Sequence, residues 1–100
     1  MKPQMKKGIL EIFVLAILKK EASYGYKIVS DLSKYVDTSE STLYPILRRL
    51  ETSGELRTYN ELFQGRNRKY YAITQKGLRH INQFMEEWQD VMNLYELLLR

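Results

Sequence analysis

The apolar residues of this chain change their spacing twice, and that succession leaves few folds open. Up to Gly54 they recur every three or four residues; ELRTYNELF then alternates loosely, KYYAIT is rich in β formers, and from Thr74 the helical interval returns to the end. Leu10, Phe13, Val14, Ile17 and Leu18 share one face of a first, nearly buried helix between Ile9 and Leu18. After a turn in EASYGYK, Tyr26, Ile28, Val29, Leu32 and Tyr35 predict a short second helix reaching Val36. Leu43, Ile46, Leu47 and Leu50 form the stripe of a third, closed by Gly54, with Asp37, Thr38 and Ser39 as candidate caps before it. QGRNR around Gly65 joins the β segments into an expected two-stranded hairpin with a basic tip.

Three helices, a hairpin and a final helix is the order of a winged helix-turn-helix, mainly α (α+β), with an added C-terminal helix. The expected division is a DNA-binding winged helix over residues 1–73 and a dimerisation helix over 74–100. One hundred residues at 44% hydrophobic and 28% charged suit one domain with a modest core and argue against disorder. The net charge is +4, unevenly placed: residues 1–73 hold 13 basic and 8 acidic side chains, whereas 74–100 hold 3 and 4. A basic surplus before the final segment leans toward a polyanionic partner.

Several classes are excluded or disfavoured. With no cysteine there is no disulfide and no thiolate metal site. The opening MKPQMKKGILEIFVLAIL imitates a secretory signal, but Glu11 interrupts it, Lys19 and Lys20 follow it, and its apolar part is too short to span a bilayer. A cytoplasmic, soluble protein without membrane association is expected. The sole histidine, His80, reads as a surface residue, and Glu86, Glu87 and Asp90 as a solvated helix face. No phosphate loop, HExxH or paired carboxylate is visible, so no enzyme, catalytic residue, metal or cofactor is expected.

Pro45 lies inside the third helical pattern, where proline costs roughly 3 kcal/mol unless it falls in the first turn. If Ser41 is the N-cap, Pro45 loses only the bond to the cap carbonyl; if the helix begins near Ser39, a kink is expected. Either start turns the apolar stripe inward and leaves Ser41, Thr42, Tyr44, Pro45, Arg48 and Arg49 outside. A recognition helix enters the major groove by its N-terminus, where hydroxyls bond base edges or phosphate and arginines hold the backbone or read guanine. Ser39, Ser41, Thr42, Tyr44, Pro45 and Arg48 are therefore the candidate DNA-reading residues, with Arg66, Arg68 and Lys69 as a wing reaching an adjacent minor groove. Tyr24 and Lys27, at the start of the second helix, are candidate phosphate contacts. The plain alternatives are capping hydroxyls, solvated cations and a winged helix that binds protein instead of DNA; two basic elements flanking one polar helix end favour DNA.

GILEIFVLAIL, SYGYKI, STLYPILRRLETSGEL and GRNRKYYAITQKG, in this order and spacing, resemble the PadR family of bacterial transcriptional repressors. The resemblance covers about nine tenths of the chain. It implies a winged helix that dimerises through C-terminal helices, binds operator DNA as a homodimer and releases it to an inducer. It also implies that Thr42, Tyr44 and Pro45 belong to the DNA-reading element and Arg66 to Lys69 to the wing. A single short C-terminal helix departs from the family's larger members and matches its small ones.

Ile81, Phe84, Trp88, Val91, Tyr95 and Leu98 step by three and four, the seam spacing of paired helices, with Met85, Met92 and Leu99 widening the stripe. Such a helix is longer than a small domain needs. Its early part is expected on the home domain and its later part across a two-fold axis, with Ile81, Phe84, Trp88, Val91, Met92, Tyr95 and Leu98 at the dimer interface. An approximately palindromic operator with half-sites roughly 34 Å apart follows. Trp88, near that axis, is read in two ways: as interface packing, or as the floor of a cavity for a planar aromatic effector. Phe84, Met85, Met92 and the N-terminal face of the first helix would form the walls of that cavity.

Overall fold

The computed structural model describes residues 3–100, with side chains from Lys7 onward. The elements are α1 (Pro3–Lys20), β1 (Ser23–Tyr24), α2 (Gly25–Leu32), α3 (Glu40–Thr52), β2 (Leu56–Phe63), β3 (Arg66–Ile73) and α4 (Gln75–Leu98). This is a winged helix-turn-helix followed by a long helix. The extents of 57 × 27 × 21 Å reflect α4, most of which projects from the rest.

One core unites the parts. Leu10, Val14, Leu15 and Leu18 of α1 meet Ile28 and Leu32 of α2, Leu43, Ile46, Leu47 and Leu50 of α3, Leu56 and Tyr71 of the sheet, and Ile81 of α4. Within α1, Leu15 is fully buried whereas Phe13 and Ile17 are only partly so, which rotates the inward face from the one expected. Tyr26 and Tyr35, assigned to the apolar stripe of α2, are 67% and 64% exposed. Their phenols find water, and α2 ends at Leu32, leaving Tyr35 in the turn after it.

One open alternative is settled and one local expectation is corrected. Of the two starts left open for α3, the one at Ser39 is observed: Ser39 is extended (φ −138°, ψ 167°), and its carbonyl accepts from the amides of Thr42 and Leu43. Pro45 therefore lies past the first turn, where it leaves the Ser41 carbonyl without an amide partner. Both residues are exposed, so that carbonyl is open to solvent. The sheet has three strands, not two, in the order β1-β3-β2, all antiparallel. The two residues of β1 are too few to leave a periodic signal. They pair Ser23 with Tyr71 and Tyr24 with Tyr70, tying the start of α2 to the wing.

Gln64 (φ 50°) and Gly65 (φ 77°) form the hairpin loop, both left-handed, as a two-residue turn between right-twisted strands requires. The loop sets the register of Phe63 with Arg66 and Tyr59 with Tyr70. One face of the wing then carries Leu56, Tyr71 and Ile73 toward the helices, and the other carries Tyr59, Phe63, Arg68 and Tyr70 outward.

Candidate nucleic-acid interface

The N-terminal end of α3 concentrates hydroxyl groups. Ser39 Oγ lies 3.0 Å from Ser41 Oγ and 3.2 Å from Thr42 Oγ1, a cluster that is exposed and bonds its own members rather than the helix amides. Hydroxyls both donate and accept, so such a cluster suits base edges and phosphate oxygens alike. Tyr44, Pro45 and Arg48 continue the exposed face, while Leu43, Ile46, Leu47 and Leu50 fix its aim by filling the core behind it. Arg48 makes no ion pair among the described residues and is available to an external anion. Its neighbour Arg49 is also exposed but is committed to an ion pair with Glu11 of α1, a residue only 9% exposed whose carboxylate requires a cation there.

Tyr44 does more than present a phenol. Its ring rests on the backbone of Gly25, where a Cβ would stand 2.5 Å from the Tyr44 hydroxyl oxygen. Gly25 thus permits the close crossing of α2 and α3, a role its position in SYGY only hints at. Tyr24, Gly25, Tyr26, Tyr44, Arg68, Lys69 and Tyr71 line a cleft of about 250 Å³ between α2, α3 and the wing. Tyr24 is the N-cap residue of α2, with no side-chain capping bond. Lys27 pairs with Glu21 at 3.2 Å, and this hydrogen-bonded carboxylate raises the ammonium above its ordinary value.

The wing is less uniformly basic at its tip than its composition implies. Arg66 follows the turn directly and is exposed without an ion pair among the described residues. Arg68 folds back, its guanidinium 4.6 Å from the Tyr24 ring centroid and 5.3 Å from that of Phe63. Tyr24 also meets Tyr70 edge-on at 5.5 Å, and Tyr70 stacks on Tyr59 at 5.5 Å. Such cation–π and aromatic contacts hold Arg68 as a strut of the wing rather than a free tip. Lys69, on the opposite face, bonds Glu51 of α3 at 3.3 Å. This aromatic ladder escaped sequence reading, although the two-residue loop would have placed Tyr59 beside Tyr70.

Along α4, Ile81 is 7% exposed and belongs to the home core, not to a dimer seam. Phe84 stacks on Trp88 at 5.4 Å and 19°. Beyond it the face is bare: Val91 is 45% exposed, Tyr95 63% and Leu98 72%. A shallow cavity of about 270 Å³ lies among Trp88, Val91, Met92, Tyr95 and Glu96. Two of the four expected effector residues, Trp88 and Met92, line it; Phe84 supports Trp88 from behind, and Met85 stands outside. The N-terminal face of the first helix, expected as another wall, falls partly on residues 1–6, outside the described side chains.

His80 is not the free surface residue expected. It is half-buried and pairs through Nδ1 with Glu55, a buried carboxyl whose second oxygen accepts from Ser53 Oγ at 2.5 Å. Burial alone would raise the Glu55 carboxyl; the hydrogen bonds from Ser53 and His80 outweigh it and hold the group below the usual carboxylate value. Among the described residues no cluster of three or more metal-ligating side chains occurs, and no helix is long and apolar enough to cross a membrane.

The chain is similar in sequence and fold to known regulators. A Streptococcus mutans protein of known crystal structure is 39% identical, covers 93% of this chain with 88% of its own, and superposes with a TM-score of 0.84. A PadR-like transcriptional regulator from Bacillus cereus is 35% identical over 97% of both chains, with a TM-score of 0.85. Bacillus subtilis PadR, solved in complex with operator DNA, shares the fold at 23% identity and a TM-score of 0.69 over 77% of this chain and 46% of its own. Residues 14–83 match the model of the transcriptional regulator PadR-like family. These residues run from the core of α1 through α3 and the wing to the root of α4, and the chain belongs to that family of transcriptional regulators, which are not enzymes.

Proposed function

We propose that this chain is a cytoplasmic repressor that binds an approximately palindromic operator as a homodimer. Residues 74–100 join the two copies, and each winged helix, residues 1–73, reads one half-site. The exposed hydroxyl cluster of Ser39, Ser41 and Thr42, beside Arg48, which has no ion pair among the described residues, on a helix anchored by its other face, carries this reading. Tyr44 and Pro45 complete the α3 surface in the major groove; Tyr24 and Lys27 hold phosphate at the start of α2, and Arg66 reaches the minor groove. Arg68 and Lys69 serve by holding the wing against α2 and α3. The operator complex of the Bacillus subtilis relative supports double-stranded DNA as the partner of this fold.

The test is a salt-dependent binding titration on the DNA upstream of the protein's own gene. Arg66→Ala is expected to weaken binding to operator and random DNA alike and to reduce the slope of log K against log salt by about one per half-site, about two for the dimer. Thr42→Ala should leave that slope in place and lower discrimination between operator and random DNA by about 1–3 kcal/mol per half-site. Equal loss on both DNAs for Thr42→Ala would remove it from base readout.

A planar aromatic effector fits the same scheme. It stacks on Trp88 at the interface of the two α4 helices and favours one dimer geometry over another, loosening DNA by its differential affinity for the two. Titration of planar dyes should quench the single tryptophan at micromolar concentrations and weaken operator binding together. Trp88 unquenched, with operator affinity unchanged, would leave it as interface packing.

A further inference from the structure

The root of α4 is fastened to the turn that ends α3. Helix α3 closes at Thr52, and the chain reverses through Ser53 and Gly54 (φ 83°) into Glu55. A helix C-terminus leaves carbonyls without amide partners, and here α4 supplies partners for those of the turn. Lys76 Nζ donates to the Ser53 carbonyl at 2.5 Å, placing a cation at the negative end of α3. Thr74 donates through its hydroxyl to the Gly54 carbonyl at 2.7 Å and through its amide to the Glu55 carbonyl at 3.1 Å. The same hydroxyl accepts from the Gly77 amide at 3.2 Å, so one oxygen caps α4 and binds the α3 turn together.

Two further features make the attachment directional. His80, about one and a half turns along α4, holds the Glu55 carboxyl that Ser53 steadies from the other side. Gly77, between these points, lies so close to the turn that a Cβ would come within 2.5 Å of the Glu55 carbonyl oxygen. Attachment at Thr74, Lys76 and His80 constrains the tilt and rotation of α4 as well as its position, whereas an apolar contact alone would allow helices to slide.

We infer that this junction of Thr74, Lys76, Gly77 and His80 with Ser53 and Glu55 is a positioning element that sets which half-site separation the dimer accepts. It does so by fixing the angle between the recognition helix and the dimerisation helix. The inference rests on the homodimeric DNA-binding reading above. A tilt of about 10° at one end of a helix roughly 36 Å long moves the other end by about 6 Å. The rise of DNA is about 3.4 Å per base pair, so a loosened junction blurs the register between the two recognition helices by one to two base pairs.

The experiment measures affinity for a set of operators whose half-site separation changes one base pair at a time, using full-length dimeric protein. The wild type should show one preferred separation. His80→Ala and Lys76→Ala should flatten that preference, lowering the ratio of best to next-best separation by about tenfold for His80→Ala and less for Lys76→Ala. Binding to a single half-site should stay unchanged, and His80→Asn, whose Nδ2 keeps a donor near the position of the imidazole Nδ1, should restore part of the preference. A variant that merely unfolds more readily loses affinity equally at every separation and leaves the ratio intact; Lys76, being exposed, offers a substitution that folds. Preserved ratios in both variants, beside a sharp wild-type optimum, would overturn the junction's role alone. A wild type indifferent to separation would overturn the homodimer reading and the junction with it.

Discussion

A chain carrying Val91→Asp together with Leu98→Asp is expected to be monomeric and to lose roughly 10²- to 10⁴-fold in operator affinity, the range by which linking two binding modules raises affinity over one. Both residues stand on the exposed face of α4, 45% and 72% exposed. They belong to an apolar strip of Trp88, Val91, Met92, Tyr95 and Leu98, all more than a third exposed, on a helix that otherwise projects into water. Contiguous apolar surface of that kind marks a site of interaction with protein, membrane or ligand, and the homodimer proposed above would cover it. Pairing it across a two-fold axis places four new carboxylates together in a desolvated seam, where like charges repel strongly. Exposed substitutions in the monomer change stability by only about 0.5 kcal/mol, so the winged helix should melt as before. Sedimentation equilibrium and the operator titration read the two effects separately. A variant that remains dimeric would place the interface elsewhere.

The second large effect separates two adjacent residues of α3. Leu47 is fully buried between α1, α2 and the sheet, and Leu47→Ala should cost about 2–5 kcal/mol through lost transfer energy and the cavity left behind. At about 4–8 °C per kcal/mol for a domain of this size, its melting temperature should fall by roughly 10 °C or more. Arg48, next in the chain, faces solvent without an ion pair among the described residues. Arg48→Ala should leave stability within about 0.5 kcal/mol and weaken operator binding instead. Denaturant unfolding and DNA titration of the two variants should give opposite patterns. Loss of stability in Arg48→Ala would show that its side chain supports the fold rather than the DNA face.

Much of the architecture was legible because its causes are local. Apolar spacing marked four helices, glycine at position 65 marked a tight turn, and the polar, cationic side of α3 followed once Leu43, Ile46, Leu47 and Leu50 were turned inward. The helix of about 27 residues expected from Thr74 onward is a 24-residue helix capped by Thr74. Local signals failed at the margins. A two-residue strand has no period to detect, and Ser39 and Ser41 are equally good caps by composition.

What the sequence determined by itself was the order of elements and the side of each that must avoid water, because periodicity and turn chemistry act over a few neighbouring residues. Tertiary structure alone decided which charges stay free. Arg48 and Arg49 are adjacent, exposed and chemically alike, yet Arg49 is held by Glu11, thirty-eight positions earlier, while Arg48 has no ion pair among the described residues. Arg66 and Arg68 differ in the same way, since β1 brings the Tyr24 ring beneath Arg68, whereas among the described residues no ring or carboxylate reaches Arg66. His80 meets Glu55 and Ile81 joins the home core for a related reason: α4 begins against the turn that closes α3. In each case the deciding partner lies far along the chain, and only the packing of the core, which minimises exposed apolar area over all segments at once, brings it within reach.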